Sequence, residues 1–217
     1  MKVTKLVSQK RDPDRVNMYI DEEFFCGISL DGIAKFNIYL GKELEESDLE
    51  EILFEELKNR FFQRAINYIS RAIKTEVQLK RYLRELSFKK KGKWFTDVSK
   101  ESLEEIINDT AERLKEYNYL NDEVFAEEFL QSRMKNRPRG KSVLLSELIS
   151  KGVNAELAKE KVEELVEDEY VMLKRIYEKK YGNENMSIQD SKKIDFLRRK
   201  GFSWDLINEF LNNEFTE

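Results

Sequence analysis

Basic side chains are concentrated in one short stretch of the chain, RMKNRPRGK at residues 133–141, and such a stretch can bind phosphate or another anion. It contains no acidic residue, and one of the chain's two prolines, Pro138, lies within it. Because proline disfavours a continuing helix, we predict that the preceding helix ends here and that a basic loop is presented outward. The candidate contact residues in this stretch are Arg133, Lys135, Arg137, Arg139 and Lys141.

Two further stretches are also rich in basic residues. Residues 71–93 contain nine lysine or arginine residues against two acidic ones, and residues 192–200 contain five against one. Each run taken alone could be an ordinary solvated helix face. In a chain built from stacked repeats, the three runs could instead lie on one side and form a basic stripe suited to phosphate. The further candidate contacts are Arg71, Lys74, Arg81, Arg84, Lys89, Lys90 and Lys91.

The residue types that most enzymes and metal sites use are scarce. The 217 residues include no histidine and one cysteine, so the usual general base is missing and a structural zinc site has no plausible ligand set. Neither a GxxxxGK[ST] phosphate loop nor a GxGxxG fingerprint occurs. The many carboxylates stand at helix-surface spacing among lysines. We therefore expect no catalytic residue, no metal, no cofactor and no enzymatic activity.

The sequence also bears on the compartment. No segment approaches the roughly 20 apolar residues that span a bilayer, and the first residues, MKVTKLVSQKRDPDR, lack the apolar run of a signal peptide. A single cysteine excludes an internal disulfide, and Cys26 is expected to be a small buried hydrophobe. We expect a cytoplasmic protein with no membrane partner, and a monomer.

The elements that must position the basic residues begin with a small sheet. Residues 14–28 alternate apolar and polar side chains on both sides of a short DEE break, which predicts a β-hairpin, and KVTKLVSQ before it could supply a third strand. Ser47 and Glu50 form the pattern of a capping box, which predicts a helix from Ser47 to about Asn59 that could cover the strands. A second helix is predicted at residues 61–72.

Helical periodicity continues to the end of the chain. Helices are predicted for TEVQLKRYLRELSF at 75–88, for KESLEEIINDTAERLKEYNYL at 100–120 and, after Asn121 as its N-cap, for the segment that precedes the basic loop. We expect Tyr117, Tyr119 and Leu120 to pack inward. Between the first two of these helices stands a basic insertion, in which Trp94 and Phe95 could either stack on bases or anchor the inserted turn.

An internal repeat is the most informative pattern. LISKGVNAEL at 148–157 matches LRRKGFSWDL at 197–206 with a constant offset of 49 residues. In each copy a lysine ends one helix, a glycine takes the left-handed position after it, the next residue is apolar, and Asn154 or Ser203 caps the following helix. Each copy is thus a helix–turn–helix corner, and two copies imply stacked helical units.

These corners are not expected to read DNA grooves. A groove-reading helix usually carries base-contacting Arg, Asn or Gln near its start, whereas the second helices here begin NAELAKEKVEEL and SWDLINEFLNN. Their acidic residues would be repelled by phosphate, which makes the corners architectural. A formal net charge of −4 also argues against a general nucleic-acid binder.

The predicted fold is mainly α: tandem three-helix repeats form an elongated curved array, preceded by a small three-stranded element with a covering helix. The expected segments are an N-terminal β-containing module at 1–59, a first repeat at 60–121 with the basic insertion at 88–98, a second repeat at 122–167 and a third at 168–217.

Several quoted stretches together resemble the RecX family of recombination regulators, and the resemblance covers nearly the whole chain. They are NYLND at 118–122 with FAEEFLQSR and RPRGK after it, RAINYISRAIKTEVQLKRYL at 64–83, the two L-x-x-K-G corners, and VNMYIDEEFFCGISL with GKELEESDLEEI near the N-terminus. The insertion KKKGKWFTDVSK departs from the family pattern, where a short turn is more usual.

The resemblance implies a non-enzymatic protein that acts in DNA repair, binds the RecA recombinase, typically its filament on single-stranded DNA, and modulates its activity. In the family, the usual outcome is inhibition of RecA's ATPase and strand-exchange activities. The single-stranded DNA could also be contacted directly. Two other functions remain open: a DNA-binding repeat protein or helix–turn–helix regulator that acts without RecA, and a protein–protein adaptor whose basic runs only aid solubility. An enzyme built on Asp/Glu pairs comes last.

Overall fold

The computed structural model describes residues 1–10, 12–92, 94 and 98–215. The chain forms two compact units. The N-terminal unit comprises Met1–Arg71 and Tyr82–Arg113, and the C-terminal unit comprises Ala72–Arg81 and Leu114–Glu217. The predicted run of basic residues at 71–93 is therefore divided between the two units, and Lys93 and Phe95 lie outside the described residues.

The predicted hairpin and third strand are confirmed. Strands β1 (Val3–Ser8), β2 (Arg15–Ile20) and β3 (Glu23–Ser29) form an antiparallel sheet in the order β1–β2–β3. The two residues between β2 and β3 have positive φ angles, 48° at Asp21 and 75° at Glu22. Both signs match a type I′ turn, whose twist suits a two-residue hairpin connection.

The core of the N-terminal unit contains apolar residues from each strand and from the helix that covers them. Val3, Met18, Ile28 and Ile52 are each fully buried in one cluster. Cys26 is buried beside them, as predicted. A short helix, α1 (Leu30–Lys35), follows the sheet. It was not predicted, because six residues are too few for helical periodicity to show.

Helix α2 runs without interruption over Glu46–Ile69. The predicted end near Asn59 and the separate helix at 61–72 are therefore wrong. No glycine or proline interrupts this stretch, and Leu57, Phe61 and Ala65 continue one buried face at a spacing of four residues. The predicted cap is also displaced: the N-cap is Glu45, whose N–H donates to the Asp48 carboxylate over 2.8 Å.

Eight further helices bring the described residues to ten helices, so the mainly α prediction is confirmed. They are α3 (Glu76–Lys90), α4 (Lys100–Glu116), α5 (Asp122–Asn136), α6 (Lys141–Ser150), α7 (Ala155–Leu165), α8 (Glu169–Tyr181), α9 (Ser191–Arg199) and α10 (Trp204–Phe215). In the C-terminal unit, α5–α7 and α8–α10 are two successive sets of three helices that share one hydrophobic core.

Both predicted corners have the predicted backbone. Gly152 and Gly201 have φ angles of 98° and 97°, a region that favours glycine. At the first corner the Val153 N–H donates to the Leu148 carbonyl and the Gly152 N–H to the Ile149 carbonyl, which is the Schellman pattern. The second corner repeats these bonds with the same offset of 49 residues. Asn154 caps α7 with its side chain, as predicted.

The tyrosines before Asn121 do not pack inward as predicted. Tyr117 is 60% exposed and Tyr119 62%, whereas Leu120 is buried. The physical reason is that α4 ends at Glu116 and Asn118 takes a left-handed conformation with φ 57°. The chain therefore reverses before it reaches Leu120, and helical periodicity no longer decides which side chains face the core.

Candidate partner-binding surface

The basic stretch that follows α5 is only partly a loop. Helix α5 extends to Asn136 and α6 begins at Lys141, so only residues 137–140 connect them. Arg133 and Lys135 stand in the last turn of α5, where cations interact favourably with the carbonyl end of a helix. The prediction that all five basic residues lie in a loop is therefore wrong for Arg133, Lys135 and Lys141.

Two of the five basic side chains are held by carboxylates of the same unit. Arg133 Nε lies 2.9 Å from Glu147 Oε2, although their alignment does not make a hydrogen bond, and its guanidinium lies 5.0 Å from the Phe129 ring. Lys141 Nζ donates to Glu163 over 2.6 Å. Both side chains thus have partners within the fold, which lowers the charge that they offer to another molecule.

Arg139 has a structural role as well. Its Nη1 donates to the Arg199 carbonyl over 2.9 Å, and the neighbouring Gly140 N–H donates to the Lys200 carbonyl over 2.8 Å. These carbonyls end α9, so the loop satisfies a helix terminus that would otherwise need water. Burial, and then the positive charges of Arg139, Lys180 and Lys179, lower the pKa of Lys200, which shows that cations gather there.

Of the five basic residues in this stretch, Lys135 and Arg137 are the two that are exposed. Within the described ranges, no carboxylate forms an ion pair with either of them. Lys135 lies in the last turn of α5, and Arg137 follows Asn136, the last residue of that helix. Of the basic stretch that the sequence singled out, these two side chains are therefore the most accessible to solvent.

The candidates from the run at 71–93 are found in different units. Arg71, Arg84, Lys89, Lys90 and Lys91 belong to the N-terminal unit, and Lys74 and Arg81 to the C-terminal unit. Arg84 is bound by both oxygens of Glu104 at 2.7 and 2.8 Å, and this bidentate bond raises the pKa of Arg84. The single basic stripe remains a prediction.

Sequence reasoning missed two arginines of the N-terminal unit. Arg60 and Arg64 are one turn apart on α2, and their guanidinium carbons lie 6.0 and 5.7 Å from the centre of the Trp94 ring. Trp94 also makes an edge contact with Phe61 and thus packs on α2. The four-residue spacing of the arginines was the available signal.

The described part of the chain shows no group of three or more His, Cys, Asp or Glu side chains that could hold a metal ion. Cys26 is buried, and burial together with the nearby Glu56 raises the pKa of its thiol to about 12. A thiol of this kind is a poor nucleophile. Among the described helices, none combines the length and apolar character that spanning a membrane requires.

Comparison with known proteins gives consistent matches. The family model of the regulatory protein RecX N-terminal domain matches residues 1–45, and that of the second RecX three-helix domain matches residues 121–161, which include α5, α6 and most of α7. Two solved structures share the fold. The crystal structure of a regulatory protein RecX covers 98% of this chain and 99% of its own at a TM-score of 0.71 and 21% identity, and that of RecX from Lactobacillus salivarius covers 72% and 95% at 0.52 and 21%.

Curated relatives are similar over almost the whole length. The regulatory protein RecX of Clostridioides difficile (strain 630) is 33% identical over 216 residues, which are 97% of this chain and 94% of the relative. That of Clostridium perfringens (strain SM101 / Type A) is 30% identical over 226 residues, covering 100% and 99%. Because similarity at this level extends from end to end, the chain belongs to the RecX family of regulatory proteins.

Proposed function

We propose that this chain binds the RecA recombinase as its filament on single-stranded DNA and inhibits RecA's ATP hydrolysis and strand exchange. It acts in the cytoplasm as a non-catalytic regulator. The observation that carries the proposal is the exposed pair Lys135 and Arg137, which has no ion pair among the described residues and stands at a junction between two helices of a protein in the RecX family.

The geometry around this pair suits a docking contact. Arg139 and Gly140 hold the loop on the end of α9, and α5 and α6 fix its two ends. The loop therefore does not need to be ordered when a partner binds, which reduces the entropic cost of association. A filament on DNA offers negative phosphate and carboxylate groups, and exposed cations favour association with such a surface.

The test is RecA-dependent ATP hydrolysis on single-stranded DNA, titrated with the wild-type chain and with a Lys135→Glu, Arg137→Glu variant. Arg139 is left unchanged because it binds the Arg199 carbonyl, and its loss would disturb the fold. A Lys10→Glu, Lys159→Glu variant is the matched control, since both lysines are exposed and the charge changes by the same amount. We expect inhibition by the wild type and the control, and a loss of about tenfold or more in the Lys135→Glu, Arg137→Glu variant.

Other outcomes select other functions. If none of the proteins alters the RecA rate while the wild type binds duplex DNA with a steep salt dependence, the chain is a RecA-independent DNA-binding protein. If RecA is inhibited equally by all three, the partner contact lies away from residues 135–137. An adaptor whose basic residues serve only solubility predicts no change on charge reversal at any of these positions.

A further inference from the structure

The N-terminal unit contains a cleft of about 900 Å³. This volume is within the range of small-ligand sites, roughly 300–1,000 Å³. Its lining comes from α2, from the loop between β1 and β2, from the start of α1 and from Trp94. The cleft is distinct from the basic stretch at 133–141, which belongs to the C-terminal unit.

One part of the lining is cationic. Arg60 and Arg64 line the cleft from successive turns of α2. Lys90 is not part of the lining, but its Nζ lies 5.3 Å from the centre of the same Trp94 ring that the two guanidinium groups approach. In the described part of the chain, no carboxylate forms an ion pair with any of these three groups. Positive charges collected around one indole repel each other, and an anion bound between them would relieve that repulsion.

A neighbouring arginine, Arg15, differs from these three groups because it has an ion-pair partner. Arg15, which also lines the cleft, forms an ion pair with the buried Glu56 at 2.8 Å. Arg60 is half-buried and forms no ion pair within the described residues. Burial and then the Arg15 charge lower its pKa, and the Glu56 carboxylate offsets part of that effect. A half-buried guanidinium whose N–H groups are not occupied by an ion pair is a suitable donor for phosphate, which it can bind through two parallel N–H bonds.

The rest of the lining favours a ligand that has both hydrogen-bond donors and hydrogen-bond acceptors. Three side-chain amides, those of Asn59, Gln63 and Asn67, stand four residues apart along α2 and line the cleft. Side-chain amides can donate and accept at the polar edges of a base. Carboxylates at Asp12, Asp14 and Asp31 come from other elements, and carboxylates accept hydrogen bonds from hydroxyl groups such as those of a sugar.

We propose that this cleft binds a nucleoside phosphate, with the phosphate on Arg60 and Arg64 and the nucleoside against the amide and carboxylate side chains. An acidic peptide fits less well, because its carboxylates are spread along the chain and some would lie against the three aspartates, whereas the negative charge of a nucleoside phosphate is confined to the end that faces Arg60 and Arg64. The nucleoside phosphate can be a free nucleotide or one nucleotide of a single strand. The proposal goes beyond RecA regulation and does not depend on it.

The experiment uses the full chain with Trp204→Phe, which leaves Trp94 as the one tryptophan of the two in the sequence. Its fluorescence is titrated in separate arms with dAMP, with ATP, with an oligo-dT strand and, as the acidic-peptide arm, with polyglutamate, in the absence of RecA. We expect the signal to saturate in at least one of the three nucleotide arms, and an Arg60→Gln, Arg64→Gln variant to bind about tenfold or more weakly, since each change removes a charge-assisted bond. Saturation with the mononucleotides identifies a free nucleotide as the ligand, and saturation with oligo-dT alone identifies the single strand.

Two controls keep the test decisive. Arg64 is exposed, so the single Arg64→Gln variant should fold normally and must still weaken binding. A Lys159→Glu variant of the C-terminal unit, changed at an exposed lysine outside both proposed sites, should bind the nucleotide as the wild type does. Binding of polyglutamate but of no nucleotide, no saturation in any arm, or nucleotide affinity unchanged by both arginine substitutions would each overturn the proposal.

Discussion

The α-carbon of Gly201 lies against the side chain of Val143 so closely that a β-carbon at position 201 would overlap Val143 Cγ2. Gly152, at the equivalent corner, lies against Val77 in the same way. Val77 and Val143 both stand in the first turn of a helix, α3 and α6 respectively. The same contact between a glycine corner and a helix start is thus made twice within the C-terminal unit.

The hydrogen bonds around these two contacts also correspond. Ser142 Oγ donates to the Gly201 carbonyl over 2.8 Å, and Thr75 Oγ1 donates to the Lys151 carbonyl over 2.6 Å. The first N–H of α6 donates to Glu169, the first residue of α8, and the first N–H of α3 donates to Asp122, the first residue of α5. In both cases an acidic residue that begins one helix accepts a hydrogen bond from the N-terminus of an earlier one. One joint, made of a glycine, a hydroxyl group and an acid, therefore connects successive helix sets.

Replacing Gly201 with alanine should destabilise the C-terminal unit. The substitution combines a left-handed φ of 97°, which costs a non-glycine residue about 1–2 kcal/mol, with an overlap against Val143 that adds about 1–3 kcal/mol. Gly92→Ala is the matched control, because Gly92 also has a positive φ but, among the described residues, no atom lies within 4 Å of its added β-carbon. We expect a larger fall in the thermal midpoint for Gly201→Ala than for Gly92→Ala. Equal shifts would mean that the overlap is relieved at no cost.

The corners were predictable because their information is local. Glycine, the apolar residue after it and the cap stand next to each other in the sequence, and each acts within one turn. The partners of the corners were not predictable, since Val77 and Gly152 are 75 positions apart and nothing in either segment indicates that the two are in contact. The same limit applies to the basic stretch. Its charge is visible in the sequence, but the bond from Arg139 to the Arg199 carbonyl, 60 positions away, is not.

Helix α2 shows a different limit. The sequence predicted two helices because a capping pattern was assigned to Ser47 and a break was placed near Asn59, whereas the local residues contain neither a glycine nor a proline to end a helix there. The predicted break left Arg60 between the two helices and Arg64 inside the second, so their shared face with Asn67 on one long helix was overlooked.

The start of α2 gives a prediction that distinguishes Glu45, the observed N-cap, from Ser47, the predicted one. Asp48→Ala removes the carboxylate that accepts the Glu45 N–H, and losses of this kind cost about 0.5–2 kcal/mol. Ser47→Ala should cost much less, because Ser47 is exposed and is not the N-cap residue. Chemical denaturation of the two variants, monitored by far-UV circular dichroism, compares them directly. A larger loss of unfolding free energy for Ser47→Ala than for Asp48→Ala would instead support Ser47, the cap that the sequence predicted.

The single cysteine reports on the N-terminal unit. Because burial and Glu56 raise the pKa of Cys26 to about 12, the thiol is protonated in the folded chain at pH 8, while an unfolded cysteine titrates near 8.5. We expect a disulfide reagent at pH 8 to label the native chain about a hundredfold or more slowly than the chain in denaturant. A Cys26→Ser, Ser47→Cys variant, with its thiol at an exposed position, is the control and should react at the unprotected rate.

The sign of the corresponding pH dependence follows from the same shift. A thiol with a raised folded pKa contributes stability that is fully present below its unfolded pKa and is lost as the pH rises through the folded value. The free energy of unfolding should therefore fall between about pH 8.5 and pH 12 by more in the wild type than in Cys26→Ser. A slope that is identical in the two proteins would show that the thiol is not protected by burial.

The Lys161 ammonium on α7 contacts three carboxylates, two on α5 and one on α7. Replacing Lys161 should therefore lower the thermal midpoint more than replacing an exposed residue of α7. Lys161 Nζ lies 2.6 Å from Glu123, 2.8 Å from Glu127 and 3.2 Å from Glu164, and these hydrogen bonds raise its pKa. Lys161→Met leaves the carboxylates without the ammonium that holds them together, so the thermal midpoint at pH 7 should fall. Lys159→Met is the control, since Lys159 is on the same helix and is exposed.

A double-mutant cycle separates the charge of Lys161 from its packing. The ammonium contribution is fully present below the pKa of an unfolded lysine, near 10.4, and is lost only as the pH rises through the raised folded value, so the cycle is measured at pH 7. In a Glu123→Gln, Glu127→Gln background, the ammonium no longer has the two carboxylates of α5 to bind. We therefore expect Lys161→Met to lower the thermal midpoint by less in that background than in the wild type. An equal fall in both backgrounds would show that Lys161 acts through the packing of its alkyl chain.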